Sequence, residues 1–92
     1  VQEPAGDLAV AAALASSFYD KPLPGDAIFL GEVGLGGEIR GISQAERRLL
    51  EAEKMGMRRA FVSQRSVPKR LPKQLKVEGV PDLVALFRAL FR

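Results

Sequence analysis

The sequence has no cysteine, no histidine and no tryptophan, and its 92 residues include a single tyrosine. Without cysteine or histidine, the chain cannot form disulfides, the usual zinc or haem sites, or a Ser-His-Asp or Cys-His catalytic group. It also lacks an apolar run near the roughly 18 residues that a membrane-spanning helix needs. We therefore expect no metal site, no cofactor and no membrane contact in this chain.

Charge is unevenly distributed along the sequence, although the net value is only +3. Residues 1–39 contain one basic residue, Lys21, against six acidic residues, whereas residues 40–92 contain thirteen basic residues against five acidic ones. Most of the basic residues fall between Arg40 and Lys76. Such a cluster attracts polyanions, and the alternative is a solvated face that only maintains solubility.

A chain of this length allows one domain with a modest core. The opening Val-Gln-Glu-Pro is typical of a piece cut from a longer protein, so we interpret residues 1–92 as a single domain within a fragment. The central stretch predicts a strand at 27–33, a glycine turn, a strand at 38–42, a helix at 44–55 and a strand at 58–62.

The flanking segments predict two more helices and an edge strand. Residues 7–18 are apolar around nearly the whole circumference, which predicts a helix that is buried on most sides. Residues 75–78 suggest a short edge strand. Residues 80–91 suggest an amphipathic helix with Pro81 in its first turn. Ser43 and Glu46 form a capping-box pattern at the start of the central helix.

The glycine segment does not match a nucleotide-binding motif. A dinucleotide fingerprint requires G-x-G-x-x-G before a helix, but counting from Gly34 puts Ile39 at the last glycine position, and a predicted strand follows. No phosphate-binding P-loop pattern occurs anywhere in the chain. A structural hairpin is the favoured interpretation.

Several ordered motifs resemble the C-terminal, Lon-protease-like domain of the bacterial RadA (Sms) family. They are Gly31-Glu-Val-Gly-Leu-x-Gly-Glu-Ile-Arg40, Glu46-Arg, Glu51-Ala and Gly56-x-x-Arg59-Ala-x-Val62, preceded by Glu3-Pro-Ala-x-Asp-Leu-Ala9, Ala15-Ser-Ser17 and Pro22-Leu-Pro24 and followed by Val67-Pro-Lys69. The resemblance implies an α/β (α+β) fold of the Lon proteolytic-domain type (ribosomal protein S5 domain 2-like), of which this chain holds the C-terminal half.

The resemblance also implies a role in DNA repair and recombination. In the RadA family, this domain is expected to assemble six subunits into a ring and to bind single-stranded or branched DNA. ATP, magnesium and zinc would belong to an N-terminal part that this chain does not contain. Recombinases are possible partners, and the implied location is the cytoplasm, with nucleoid association.

The catalytic residues of the related Lon proteases are not matched. Their Ser-Lys dyad positions align with Ala5 and Glu46, which provide neither a nucleophile nor an amine base. Ser43 and Lys54 cannot replace the dyad, because helix rise would separate them by about 16 Å. The resemblance therefore implies a non-catalytic domain, and a Lon-like peptidase is the enzymatic alternative.

The candidate DNA-binding residues are the arginines and one lysine of the basic half: Arg40, Arg47, Arg48, Arg58, Arg59, Arg65, Lys69 and Arg70. Arginine suits phosphate because its planar group donates two hydrogen bonds at once. With one tyrosine and no tryptophan, base stacking is poorly supported, so contacts to the DNA backbone are expected. The alternatives are ion pairs, such as Arg47 with Glu51, and a pure oligomerisation module.

Overall fold

The computed structural model describes residues 7–91 as a small α/β domain. Its elements, in chain order, are α1 (Asp7–Tyr19), β1 (Ala27–Leu30), β2 (Glu32–Val33), β3 (Ile39–Arg40), α2 (Ala45–Lys54), β4 (Arg59–Ser63), β5 (Lys76–Val80) and α3 (Leu83–Phe91). A short 3₁₀ turn, Gln64–Ser66, follows β4. The predicted order of strand, turn, strand, helix and strand is confirmed.

The main sheet has three parallel strands in the order β1-β4-β5. Ala27 of β1 aligns with Arg59 of β4, which aligns with Lys76 of β5. These residues mark the amino edge of the sheet, and the opposite side, where the strands end, is called the carboxyl edge below. Since β5 pairs only with β4 within the described range, its prediction as an edge strand is confirmed.

Helices cover both faces of the sheet. Successive side chains along its strands point to opposite faces, and the strands carry apolar residues on each face. On one face, Phe29 and Phe61 stack with ring centroids 5.2 Å apart, and α1 and α3 pack there through Leu8 and Leu86. On the other face, residues of β1 and β4 pack against α2 through Leu49. The result is a three-layer arrangement with the sheet in the middle.

All three helices begin at the carboxyl edge. The N–H of Leu8 in α1 donates to the carbonyl of Gly31, and the N–H of Leu83 in α3 donates to the carbonyl of Gly37. The α2 helix follows the β2–β3 hairpin and returns the chain to the amino edge, where the N–H of Arg58 donates to Asp26. The carboxyl edge therefore receives the positive ends of three helix dipoles.

The strand predicted at 27–33 is divided at Gly31, where the chain leaves the main sheet for the antiparallel β2–β3 hairpin. A Cβ on Gly31 would lie 3.0 Å from the Ile39 side chain and 3.3 Å from that of Leu8, so this close approach favours glycine. The turn at residues 34–37 closes the hairpin through a hydrogen bond from Gly37 to Gly34.

Two helix starts differ from the predictions. The capping box at Ser43 does not form: Gln44 is the N-cap of α2, with a φ of 57° and no side-chain capping hydrogen bond. Pro81 lies before α3 rather than in its first turn, and the Asp82 carboxylate caps the helix by accepting from the N–H of Ala85 at 2.9 Å. The predicted end of α2 is confirmed, because Gly56 follows it with a φ of 89°.

The prediction that α1 is buried on most sides is wrong. Leu8, Ala12 and Ala15 face the core, whereas Leu14 is 67% exposed and Phe18 is 83% exposed. The β1 strand, the β2 strand and α3 contact one side of this apolar helix, and the side that carries Leu14 and Phe18 is exposed in residues 7–91.

Candidate nucleic-acid interface

The eight predicted basic residues do not form one surface: four lie at the carboxyl edge of the sheet, two at the amino edge and two in the connection to β5. Arg40 ends β3, and Arg65 lies in the 3₁₀ turn that follows β4, so both are at the carboxyl edge. Arg47 and Arg48 lie at the start of α2, on the same side. Arg58 and Arg59 lie at the opposite, amino edge, while Lys69 and Arg70 are exposed in the connection to β5.

A cleft of about 420 Å³ opens at the carboxyl edge. Its walls come from the hairpin, the end of β4, the 3₁₀ turn and the start of the α3 connection, with the lining residues Glu38, Ile39, Arg40, Gly41, Ser63, Gln64, Arg65 and Pro81. One arginine of the lining comes from the hairpin and one from the 3₁₀ turn, and guanidinium groups are suited to binding an anion.

Serine hydroxyls organise the cleft. The Ser63 side chain is 1% exposed and accepts a hydrogen bond from the N–H of Arg65 at 3.2 Å, which caps the 3₁₀ turn. The Ser66 hydroxyl accepts from the N–H of Ile42 at 3.0 Å and joins the turn to the end of the hairpin. Gly41 faces the Ser66 hydroxyl so closely that a Cβ at this position would collide with it.

The Glu38 carboxylate occupies the hairpin side of the cleft. It accepts a hydrogen bond from the N–H of Gly36 at 3.1 Å and forms an ion pair with Arg40 at 3.2 Å. Hydrogen bonds from its own backbone N–H and then from Arg40 hold the pKa of Glu38 below its ordinary value. The carboxylate is thus held in its charged form by the hairpin that carries it.

The arginines of α2 differ in their surroundings. Arg47 is exposed, and the predicted ion pair between Arg47 and Glu51 does not form in the part of the chain that the structure describes. Arg48 is half-buried and has interactions of its own, so it is less available to a ligand than Arg47.

At the amino edge, Arg59 has a structural contact. Its guanidinium carbon lies 5.0 Å from the centre of the Phe61 ring, which is a cation–π distance, and the residue is half-buried. Arg58 is exposed, and its backbone bridges β1 and β5 by donating to Asp26 and accepting from Lys76. Arg59 therefore contributes to packing at the amino edge.

The structure describes one of the two positions that match the Lon dyad. Glu46 lies in the first turn of α2 and is exposed, whereas Ala5 lies outside the described residues. Within residues 7–91 there is no group of histidine, cysteine, aspartate or glutamate side chains that could hold a metal ion. No helix in that range is long and apolar enough to cross a bilayer.

This α/β domain with a polar cleft at its carboxyl edge belongs to the ChlI family, a Lon-like family described as subunit ChlI of Mg-chelatase, which matches residues 3–66. The chain is also homologous to a segment of bacterial RadA proteins, as the motifs predict. It is 46% identical to the DNA repair protein RadA of Escherichia coli over 83 residues, which are 90% of this chain and 18% of that protein.

Two further relatives match almost the whole chain. The RadA protein of Streptococcus pneumoniae is 42% identical over 92 residues, covering 99% of this chain and 22% of the relative. That of Pseudomonas aeruginosa is 45% identical over 91 residues, covering 99% of this chain and 20% of the relative. The chain therefore spans about a fifth of the length of the curated relatives it matches.

Proposed function

We propose that this chain is a non-catalytic, Lon-like domain of a RadA-type DNA repair protein, in which it contacts the DNA backbone and helps to assemble a six-subunit ring. In this proposal, ATP, magnesium and zinc are bound by other parts of the protein. The protein acts in the cytoplasm at the nucleoid, on single-stranded or branched DNA and alongside recombinases. The homology to RadA over nearly the whole chain supports the repair context.

The observation that carries DNA contact is the position of the exposed arginines. Arg40, Arg47 and Arg65 are all exposed and lie at the carboxyl edge, where the three helices begin. Helix N-termini add positive potential at that edge, and guanidinium groups bind phosphate oxygens through paired donors. Because no aromatic side chain lines the cleft, contacts to the backbone rather than base stacking are expected.

The non-catalytic reading is supported by the chemistry of the carboxyl edge. The exposed Glu46 carries a carboxylate where a Lon-type dyad needs an amine. The serine that lines the cleft, Ser63, already caps a turn, and the basic residues that line the cleft are arginines rather than lysines. The described residues that line this cleft therefore include no lysine that could complete a Lon-type Ser-Lys dyad.

The test is salt-dependent DNA binding by the full-length protein that carries this chain. Replacing Arg47 and Arg65 with alanine should weaken binding, because each removes about one phosphate contact, and should reduce the slope of log K against log salt by about two. The matched control is Lys73→Ala with Lys76→Ala, which removes two exposed basic groups at and just before the start of β5, neither of them a candidate DNA-binding residue. This control should leave the slope nearly unchanged.

Two results would reject DNA contact at the carboxyl edge. One is an equal loss of slope in both double variants, which would indicate a general effect of net charge. The other is a wild-type affinity that does not change between about 50 and 200 mM salt. If light scattering instead shows that the Arg47 and Arg65 variant loses assembly while each remaining ring keeps its DNA affinity, the pure oligomerisation module is favoured.

A further inference from the structure

The Glu38 carboxylate marks a position in the cleft where a negatively charged oxygen is already stabilised. It folds back over Gly34, where a Cβ would collide with it, and it contacts the N–H of Gly36 and the guanidinium of Arg40. One backbone donor and one guanidinium are the groups that a phosphate oxygen would use. The hairpin therefore provides an anion position that its own side chain fills.

The ion pair that fills this position is weakly held. The side chain of Arg40 is 63% exposed and that of Glu38 is 49% exposed, so water screens their attraction. Arg65 lines the same cleft, is exposed and forms no ion pair within residues 7–91. A phosphodiester that enters the cleft therefore meets a lining with two arginines, of which Glu38 pairs only with Arg40.

We propose that the cleft between Arg40 and Arg65 binds a phosphate of the DNA backbone, and that this phosphate replaces the Glu38 carboxylate as the partner of Arg40. Glu38 thus acts as an internal competitor, which lowers the affinity of the cleft for DNA and makes binding exchangeable. This inference rests on the proposed DNA contact, and it adds the place of contact and a residue that opposes it.

The experiment is a double-mutant cycle in the full-length protein, with a labelled single-stranded oligonucleotide of mixed sequence as the probe. Glu38→Gln keeps the side-chain shape but removes the competing charge, so binding should tighten by about two- to fivefold, as expected for an exposed ion pair. Arg40→Ala alone should weaken binding. In the Arg40→Ala background, Glu38→Gln should lose most of its effect, because the competed residue is absent.

Asp20→Asn is the matched control for charge. Asp20 lies after α1, away from the carboxyl edge, and its φ of 54° is a conformation that asparagine also adopts readily. This substitution changes the net charge as Glu38→Gln does, and it should leave the affinity within the error of the measurement. Circular dichroism of each variant verifies that the fold is retained.

The outcomes separate the inference from the proposed function. If wild-type protein binds the oligonucleotide and Arg65→Ala weakens binding, but Glu38→Gln has no effect, DNA contact stands and competition by Glu38 is rejected. Competition is also rejected if Glu38→Gln tightens binding equally with and without Arg40. If neither the wild type nor the Glu38→Gln variant binds at low salt, the proposed DNA contact itself fails.

Discussion

At the scale of single residues, Glu38 couples the ionisation of one side chain to the stability of the β2–β3 hairpin. The carboxylate follows the hairpin turn, and its pKa is lowered first by its own backbone N–H and next by the Arg40 guanidinium. Because the folded-state pKa lies below the ordinary value of 4.5, ionised Glu38 stabilises the fold at pH values above 4.5. This contribution is lost as the pH falls through the lower, folded-state pKa.

A pH titration tests whether ionised Glu38 stabilises the hairpin. At neutral pH, Glu38→Gln should make the amides of the β2–β3 hairpin exchange with solvent faster than in the wild type, since the variant lacks the charged hydrogen bonds. Below pH 4.5, that difference should shrink as wild-type Glu38 becomes protonated. A difference that stays constant or grows toward acid pH would contradict the assignment.

The residue-scale contacts could be predicted from the sequence only in part. Glu38 and Arg40 are two positions apart in an extended segment, and so are Arg59 and Phe61, so the period of a strand places each pair on one face. The hairpin and the 3₁₀ turn line one cleft because of the strand order and because of the point at which the hairpin leaves the sheet. Local sequence does not encode those features, so Arg65 could not be assigned to the same cleft as Arg40.

At the scale of elements, α1 is apolar in composition although one of its sides is exposed. Its outer side exposes Leu14 and Phe18, and an aromatic group continues this surface onto α3, with Tyr19 and Phe91 centroids 5.4 Å apart. Composition correctly predicted that α1 is apolar around its circumference. It does not tell whether each side of the helix is covered by the same chain or by another one. Exposed apolar surfaces of this kind mark interfaces, which agrees with the proposed assembly into a ring.

Replacing Leu14 and Phe18 with glutamine tests the role of this outer side of α1. If it is the assembly surface, the full-length double variant should form smaller particles in multi-angle light scattering, because apolar burial between subunits is lost. Leu35→Gln is the control, since Leu35 is fully exposed at the tip of the hairpin, on a different part of the surface. Unchanged particle size in the double variant would exclude this surface from assembly.

At the scale of the whole molecule, stability depends on two small cores that share one sheet. Leu86 of α3 is fully buried in the core that also contains Leu8 and Phe61, so it connects two helices to the sheet. A domain of this size has little stability to spare, because its surface is large relative to its volume. The loss of one fully buried side chain should therefore lower the free energy of unfolding of the whole domain.

Leu86→Ala should destabilise this domain by about 2–5 kcal/mol, from the lost burial and the cavity that remains. Amide hydrogen exchange of its core strands in the full-length protein should then accelerate about 30-fold or more. Val84→Ala on the same helix is the control, because Val84 is 58% exposed and should change stability by less than about 0.5 kcal/mol. Similar exchange in the two variants would argue against this description of the core.

The register of the parallel sheet has a consequence for the order in which the chain folds. Within residues 7–91, β1 pairs only with β4, so Ala27 has no strand partner until Arg59 is made, and β4 gains its second neighbour only with Lys76. Contacts between residues this far apart in sequence close large loops, which slows folding. During synthesis, α1 and β1 leave the ribosome with their apolar side chains uncovered. Nascent chains that stop before β4 should therefore be the species that chaperones recognise.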